Sequence, residues 1–233
     1  MSSILKRLTD SPLLVRAVPF VLFVLLTSLQ GIFGETSRYW IYLAKTLLGI
    51  WLVRIILPFV PELKWAVTLR SVFAGVVVFA LWVGLDGLYP TLDVILSALG
   101  FGSKESGAPW NPNLTYGAGS GMAWLMIATR ILGSSLVVPP IEEVFYRSLV
   151  YRWVANPDIN QVSLRRFASA PFVVAALLFG LAHREWLPGI LCAMICQSLV
   201  FRRGDLGEAM TAHGVTNLLL GLWVIGKGAW QFW

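Results

Sequence analysis

Charge is scarce in this chain. Asp, Glu, Lys and Arg make up 13% of its 233 residues, against 57% hydrophobic residues. With a mean hydropathy of +0.74, too little polar surface is left for a soluble domain of this length. Histidine and cysteine occur twice each, as His183, His213, Cys192 and Cys196. The cysteines lie four apart in an apolar stretch, so they share one helix face. Without a third ligand beside them they read as buried free thiols rather than a zinc site. No HExxH string, internal repeat or low-complexity tract is present. The net charge of +6 comes from basic residues scattered at helix ends, not from a stripe on a soluble face, so no nucleic-acid binding is expected.

What remains is apolar length. Stretches of about 18 or more apolar residues read as membrane-spanning helices. Such segments fall near 13–33, 40–60, 66–85, 122–138, 167–183, 186–201 and 209–226, with a further apolar helix over about 141–155. The fold class expected is an all-α polytopic transmembrane bundle with seven or eight membrane helices. One membrane-embedded domain is expected over 1–233. The first apolar run, which follows Lys6 and Arg7, is interrupted by Pro19 and lacks a small-x-small cleavage site. It reads as an uncleaved first helix rather than a signal peptide. Residues 86–121 form the one long polar stretch, rich in Gly, Pro, Ser and Asn. Trp40, Trp65, Trp186, Trp230 and Trp233 stand near segment ends, as an interfacial belt requires.

Charge asymmetry sets an expected orientation. Lys6, Arg7, Lys64, Arg70, Arg152, Arg165, Arg166, Arg202 and Arg203 fall on one side if 141–155 does not fully cross. The loop with Asp86, Asp93 and Glu105 falls opposite, with Lys104 as its only basic residue. The positive-inside rule then puts the N-terminus in the cytoplasm, in a bacterial inner membrane by expectation.

Three polar clusters interrupt the apolar segments. Glu142 and Glu143 open an EExxxR string that closes at Arg147. Glu143 and Arg147, four apart, can pair along one helix face, while Glu142 points about 100° away. Pro139-Pro140 just upstream suggests a helix start, which would put both carboxylates in a first turn. An ordinary acidic first turn with an ion pair suits the same string. Phe179 and His183 form FxxxH at the end of a span, where a histidine can also simply cap the helix. His213 and Asn217 form HxxxN inside an apolar helix, where polar residues can also act as interhelical glue. Ionisable groups in hydrocarbon are costly, and three clusters together favour a buried site. A carboxylate and an imidazole can activate water, while a second imidazole and a carboxamide hydrogen-bond a developing oxyanion.

In order and spacing, EExxxR, FxxxH and HxxxN resemble the CAAX prenyl protease and bacteriocin-processing (CPBP, or Abi) intramembrane proteases. The resemblance covers about residues 122–226. It implies that Glu142 and His183 activate water, and that His213 and Asn217 form the oxyanion hole. Glu143 and Arg147 would be supporting residues, with Phe179 packing beside His183. The sequence AHREWLPG around His183 is similar to the branch that accompanies exosortase sorting systems. A metal-free mechanism is expected, because using His213 as a ligand would remove an oxyanion donor. Zinc held by Glu142, His183 and His213 is the alternative. The chain has no recognisable feature for holding a prenyl group. A membrane-anchored or C-terminally tagged peptide or protein is therefore the expected substrate, with membrane lipid as the surroundings. Two competing functions use the same residues. One is a non-catalytic membrane partner or immunity protein. The other is a proton-coupled transporter, disfavoured because no matching Gly/Pro-interrupted segments appear in the two halves.

Overall fold

The computed structural model describes residues 3–101 and 109–233. Lys104 and Glu105 therefore lie outside the described residues. A short helix α1 (Ser3–Asp10) precedes α2 (Leu14–Ser28) and α3 (Ser37–Ile56), which a 3-10 turn extends to Phe59. Then come α4 (Leu69–Gly84) and two short helices of the polar stretch, α5 (Leu92–Ala98) and α6 (Pro112–Tyr116). The next helical stretch is continuous from Gly121 to Ala155, 35 residues in all. It contains α7 (Gly121–Leu132), a π segment (Gly133–Val137), α8 (Val138–Glu143), a second π segment (Val144–Val150) and α9 (Tyr151–Ala155). The chain closes with α10 (Ser169–Leu181), α11 (Trp186–Arg203) and α12 (Gly207–Lys227). No strand occurs among the described residues.

Helices dominate because lipid supplies no hydrogen-bond partners, so every backbone group must be satisfied within the chain. Their ends follow local chemistry. Thr68 and Ser71 form a capping box at the start of α4. Gly204 stops α11 at φ +75°, a left-handed conformation that favours glycine. Three helices are long and apolar enough to cross a membrane: Ser37–Phe59, Gly121–Ala155 and Gly207–Lys227. α2, α4 and α10 are shorter apolar helices. The bundle of membrane helices expected from the sequence is borne out. One expectation needs correction: 122–138 and 141–155 are parts of one helix, so Pro139-Pro140 lies inside it and marks no start.

The helical segments run alternately between two ends. At one end the loop 60–68 is fastened to the start of α12, where the Leu206 amide donates to the Glu62 carbonyl at 3.0 Å. Arg165 caps the end of α11 by donating to the carbonyls of Arg202 and Arg203. Lys64, Arg70, Arg152, Arg165, Arg166, Arg202 and Arg203 lie at this same end, where Arg16 joins them, while Arg38 and Arg184 bond at the other end. At the other end the Leu92 amide donates to the Arg184 carbonyl at 2.9 Å, and the Trp186 indole to the Pro90 carbonyl at 3.0 Å.

α12 is central, packed against α4, α11 and the long kinked helix. Small residues let it approach closely. A Cβ on Gly75 of α4 would sit 2.5 Å from the Ala212 carbonyl oxygen, and the Thr216 hydroxyl donates to the Gly75 carbonyl at 3.0 Å.

The basic end is organised around one buried carboxylate. Glu62 accepts from Arg16 at 2.8 and 3.0 Å, and also from Arg152 and the Ser148 hydroxyl. Burial alone would raise its pKa, but Arg152, Arg16 and Ser148 outweigh burial and hold it below the ordinary carboxylate value. A group whose folded pKa is depressed stabilises the fold above its unfolded value, near 4.3, and loses that contribution as pH falls through the folded value. Glu62→Ala leaves two buried guanidinium groups uncompensated. We expect it to cost about 3–5 kcal/mol at neutral pH. The thermal unfolding midpoint in detergent, measured at pH 7 and again at pH 3, checks both statements. The gap between wild type and variant should shrink at the lower pH.

Candidate active site

The long helix does not break at Pro139-Pro140 because the turn before it is wound as a π segment. Proline has no N–H to donate, so a proline in a helix leaves a carbonyl without its partner. Here the Val138 amide bonds to the Gly133 carbonyl, one residue further back than in an α-helix. The Ser134 carbonyl then has neither Val138 nor the next residue, a proline, as donor. Asn217 supplies the missing bond, its Nδ2 donating to the Ser134 oxygen at 2.8 Å. The carboxamide of HxxxN thus fastens α12 to the π segment.

One turn earlier on α12, Gly214 permits the contact. A Cβ at this position would lie 2.6 Å from the Ser135 carbonyl oxygen. With the backbones this close, His213 meets the glutamates. Its Nδ1 is 3.0 Å from Glu143 Oε1, and its Nε2 is 3.9 Å from Glu142 Oε2. Glu143 is fully buried, and its other oxygen lies 3.0 Å from Arg147 Nε, the i,i+4 pair anticipated from the spacing. Glu142 retains 15% side-chain exposure. The two carboxylates are therefore unlike: one is locked between a guanidinium and an imidazole, the other faces the imidazole from beyond direct hydrogen-bonding distance.

Phe179 joins the remaining residues. Its ring lies 4.4 Å from the Arg147 guanidinium carbon, 4.6 Å from the His183 ring and 5.8 Å from the His213 ring. His183 Nδ1 is 2.7 Å from the Phe179 carbonyl oxygen, and Trp82 packs edge-on against the imidazole at 5.7 Å. The imidazole thus borders a cavity of about 420 Å³ shared with Trp82, Asp93, Glu185 and the C-terminal aromatic residues Phe232 and Trp233.

The motif residues fall into two groups that meet at Phe179. Glu142, Glu143, Arg147 and His213 form one continuous cluster; His183 is joined to it through the Phe179 ring, with no hydrogen bond to Glu142 among the described residues. Among the described residues no three His, Cys, Asp or Glu side chains are grouped to hold a metal ion. Glu142, His183 and His213 therefore do not form a ready-made three-ligand set as placed. Cys192 and Cys196 are buried free thiols, as their spacing suggests.

Residues 124–219 match the family model described as type II CAAX prenyl endopeptidase Rce1-like. The match spans 96 of the 233 residues and likens that segment to the CAAX endopeptidases. No curated protein and no solved structure matches the chain. The matched segment takes in every motif residue, from Glu142 to Asn217, and excludes α2, α3 and α4. Those helices carry buried ionisable groups of their own. Lys45 of α3 is 5% exposed and donates to the Thr27 hydroxyl at 2.8 Å. Sequence reasoning passed over it, although a lysine inside an apolar span is itself a signal.

The close approach at Gly214 gives a direct test. Gly214→Ala should lower the thermal midpoint by several degrees, because the Ser135 carbonyl belongs to a helix that cannot yield easily. Gly226→Ala, whose Cβ would meet nothing within 4 Å, should be neutral or slightly stabilising. Equal effects of the two would show that the α12 contact is not tight.

Proposed function

We propose that this protein is an intramembrane endopeptidase in which Glu142 is the general base that activates water. The observation that supports this most is the 3.9 Å gap between Glu142 Oε2 and His213 Nε2. That separation is too long for a direct hydrogen bond and suits a single water bound by both. Glu143 accepts from His213 Nδ1 and keeps Nε2 turned toward Glu142. Arg147 neutralises Glu143, so the carboxylate left to take up a proton is Glu142.

Attack on a peptide carbonyl then proceeds with Glu142 taking one proton from the water while its oxygen bonds to the carbonyl carbon. The negative charge that forms on the carbonyl oxygen is stabilised by the second N–H of the Asn217 amide and, with both ring nitrogens of His213 protonated, by its Nε2–H. Collapse of the intermediate breaks the C–N bond as the proton on Glu142 passes to the leaving amine. With Nδ1 donating to the Phe179 carbonyl, His183 keeps Nε2 as an acceptor, and the resemblance pairs it with Glu142 in activating water. No metal enters this scheme. Its substrate is a membrane-anchored or C-terminally tagged peptide or protein, and an exosortase-type sorting system is its expected setting. By the positive-inside rule the end carrying Arg152, Arg165 and Arg202 faces the cytoplasm of a bacterial inner membrane, and with it the N-terminus.

Glu142→Gln keeps size and hydrogen bonding while removing the base. Processing in cells should fall by about 100-fold or more at unchanged protein level. His213→Ala and His183→Ala should do the same. Full activity of an abundant Glu142→Gln protein would instead favour a non-catalytic scaffold that binds its partner through the same cluster. Chelation of divalent metals should leave cleavage unaffected; loss of activity restored by zinc alone would assign zinc to Glu142 and the histidines.

A further inference from the structure

The cavity that His183 borders carries two acids the motifs do not explain. It measures about 420 Å³, and its walls include Asp93, Glu185 and the rings of Trp82, Phe232 and Trp233. Asp93 has its cation: Arg184 Nε lies 3.3 Å from its Oδ1, and both side chains remain exposed. Glu185 has none. It is only 7% exposed, and no Lys, Arg or His nitrogen among the described residues pairs with its carboxylate. Its Oε2 accepts from the Tyr89 hydroxyl at 2.7 Å, while Oε1 accepts from no described residue. Glu185 also stands at the N-cap of α11, where an acidic side chain can accept from the helix's own amides, yet it makes no such bond. Its carboxylate is turned instead to Tyr89 and the cavity.

A carboxylate taken out of water is costly unless it is paired. The positive end of α11 and the Tyr89 hydroxyl offset part of that cost, but neither brings a counter-charge. The three aromatic rings attract organic cations through their faces. A carboxylate among such rings suits an ammonium or a guanidinium. A divalent metal needs several oxygen or nitrogen ligands, and among the described residues no three His, Cys, Asp or Glu side chains are grouped to provide them. His183 lines the same cavity, so a cation held there sits beside the imidazole.

We infer that this cavity is a substrate subsite for a basic side chain, a lysine or arginine close to the bond that is cut, with Glu185 as its counter-charge. This rests on the endopeptidase reading and adds to it a specificity residue outside the three motifs. The substrate supplies the cation that Glu185 lacks, and Trp82, Phe232 and Trp233 enclose the side chain that carries it.

The test is a binding measurement, so it stands apart from catalysis. N-dodecanoyl-alanyl-lysyl-alanine amide and the same peptide carrying Nε-acetyllysine are titrated into the purified full chain in a non-ionic detergent by calorimetry. Wild type and Glu142→Gln should both bind the lysine peptide at least about tenfold more tightly than the acetylated one, as expected for a charge-assisted contact. Glu185→Gln keeps an acceptor for Tyr89 and should lose most of that preference. Glu35→Gln, which removes an exposed charge elsewhere, should keep it. Phe232→Leu leaves every charge in place and should reduce the preference severalfold, so the wall is tested even if Glu185→Gln does not fold. Equal binding of the two peptides by folded wild type would overturn the assignment. So would a lysine preference that survives undiminished in Glu185→Gln or in Phe232→Leu. If dihexanoylphosphatidylethanolamine displaces the lysine peptide at the concentration at which that peptide itself binds, and the phosphatidylglycerol analogue does not, the cavity belongs to a lipid headgroup and the substrate assignment fails. A lysine preference that depends on Glu185, found beside full activity of Glu142→Gln in cells, would leave the cation site standing and remove the endopeptidase reading.

Discussion

The fully buried carboxylate of Glu143 is the joint on which the centre of this molecule depends. One oxygen faces Arg147 on its own helix, and the other faces His213 on α12. A charge without solvent is tolerated only when such partners surround it, and removing one partner strands the rest. The joint therefore ties the long kinked helix to α12 and fixes the imidazole by the same contact. Phe179 extends the arrangement to α10 by covering the guanidinium with its ring face. Three helices thus meet around a single buried acid.

The π segments on either side of that acid are consistent with this role. An extra residue in a helical turn shifts the facing of everything after it and is common where side chains must be aimed. Here the first π segment also absorbs two prolines without breaking the helix. The displaced carbonyl of Ser134 is satisfied from α12 by Asn217. HxxxN consequently serves two ends at once, the histidine addressing the carboxylates and the carboxamide repairing the backbone. A second N–H on the same amide remains for other use.

Much of this was legible in the sequence, for definite physical reasons. Apolar runs located the helices because hydrocarbon imposes a length and a composition. The spacing of Glu143 and Arg147 announced their pairing because i,i+4 positions on a helix are neighbours. The shared end of Arg70, Arg152 and Arg165 followed from charge placement alone. Pro139-Pro140 misled, since a proline pair reads as a boundary unless the winding of the preceding turn is known, and no single-sequence pattern reports a π turn. Arg16, Glu62 and Arg152 were invisible as a network because they are far apart along the chain and meet only when α2, the loop 60–68 and the long helix pack. The same holds for Tyr89 and Glu185, whose bond nothing in the sequence announces.

The brevity of α10 has a consequence for the surrounding lipid. Thirteen residues rise about 20 Å, well short of a hydrocarbon core of about 30 Å. A segment this short leaves a mismatch that the bilayer or the neighbouring helices must absorb. His183, two residues beyond its end, stands at the rim of that short segment, so the length of one helix bears on how near a polar side chain comes to the water layer.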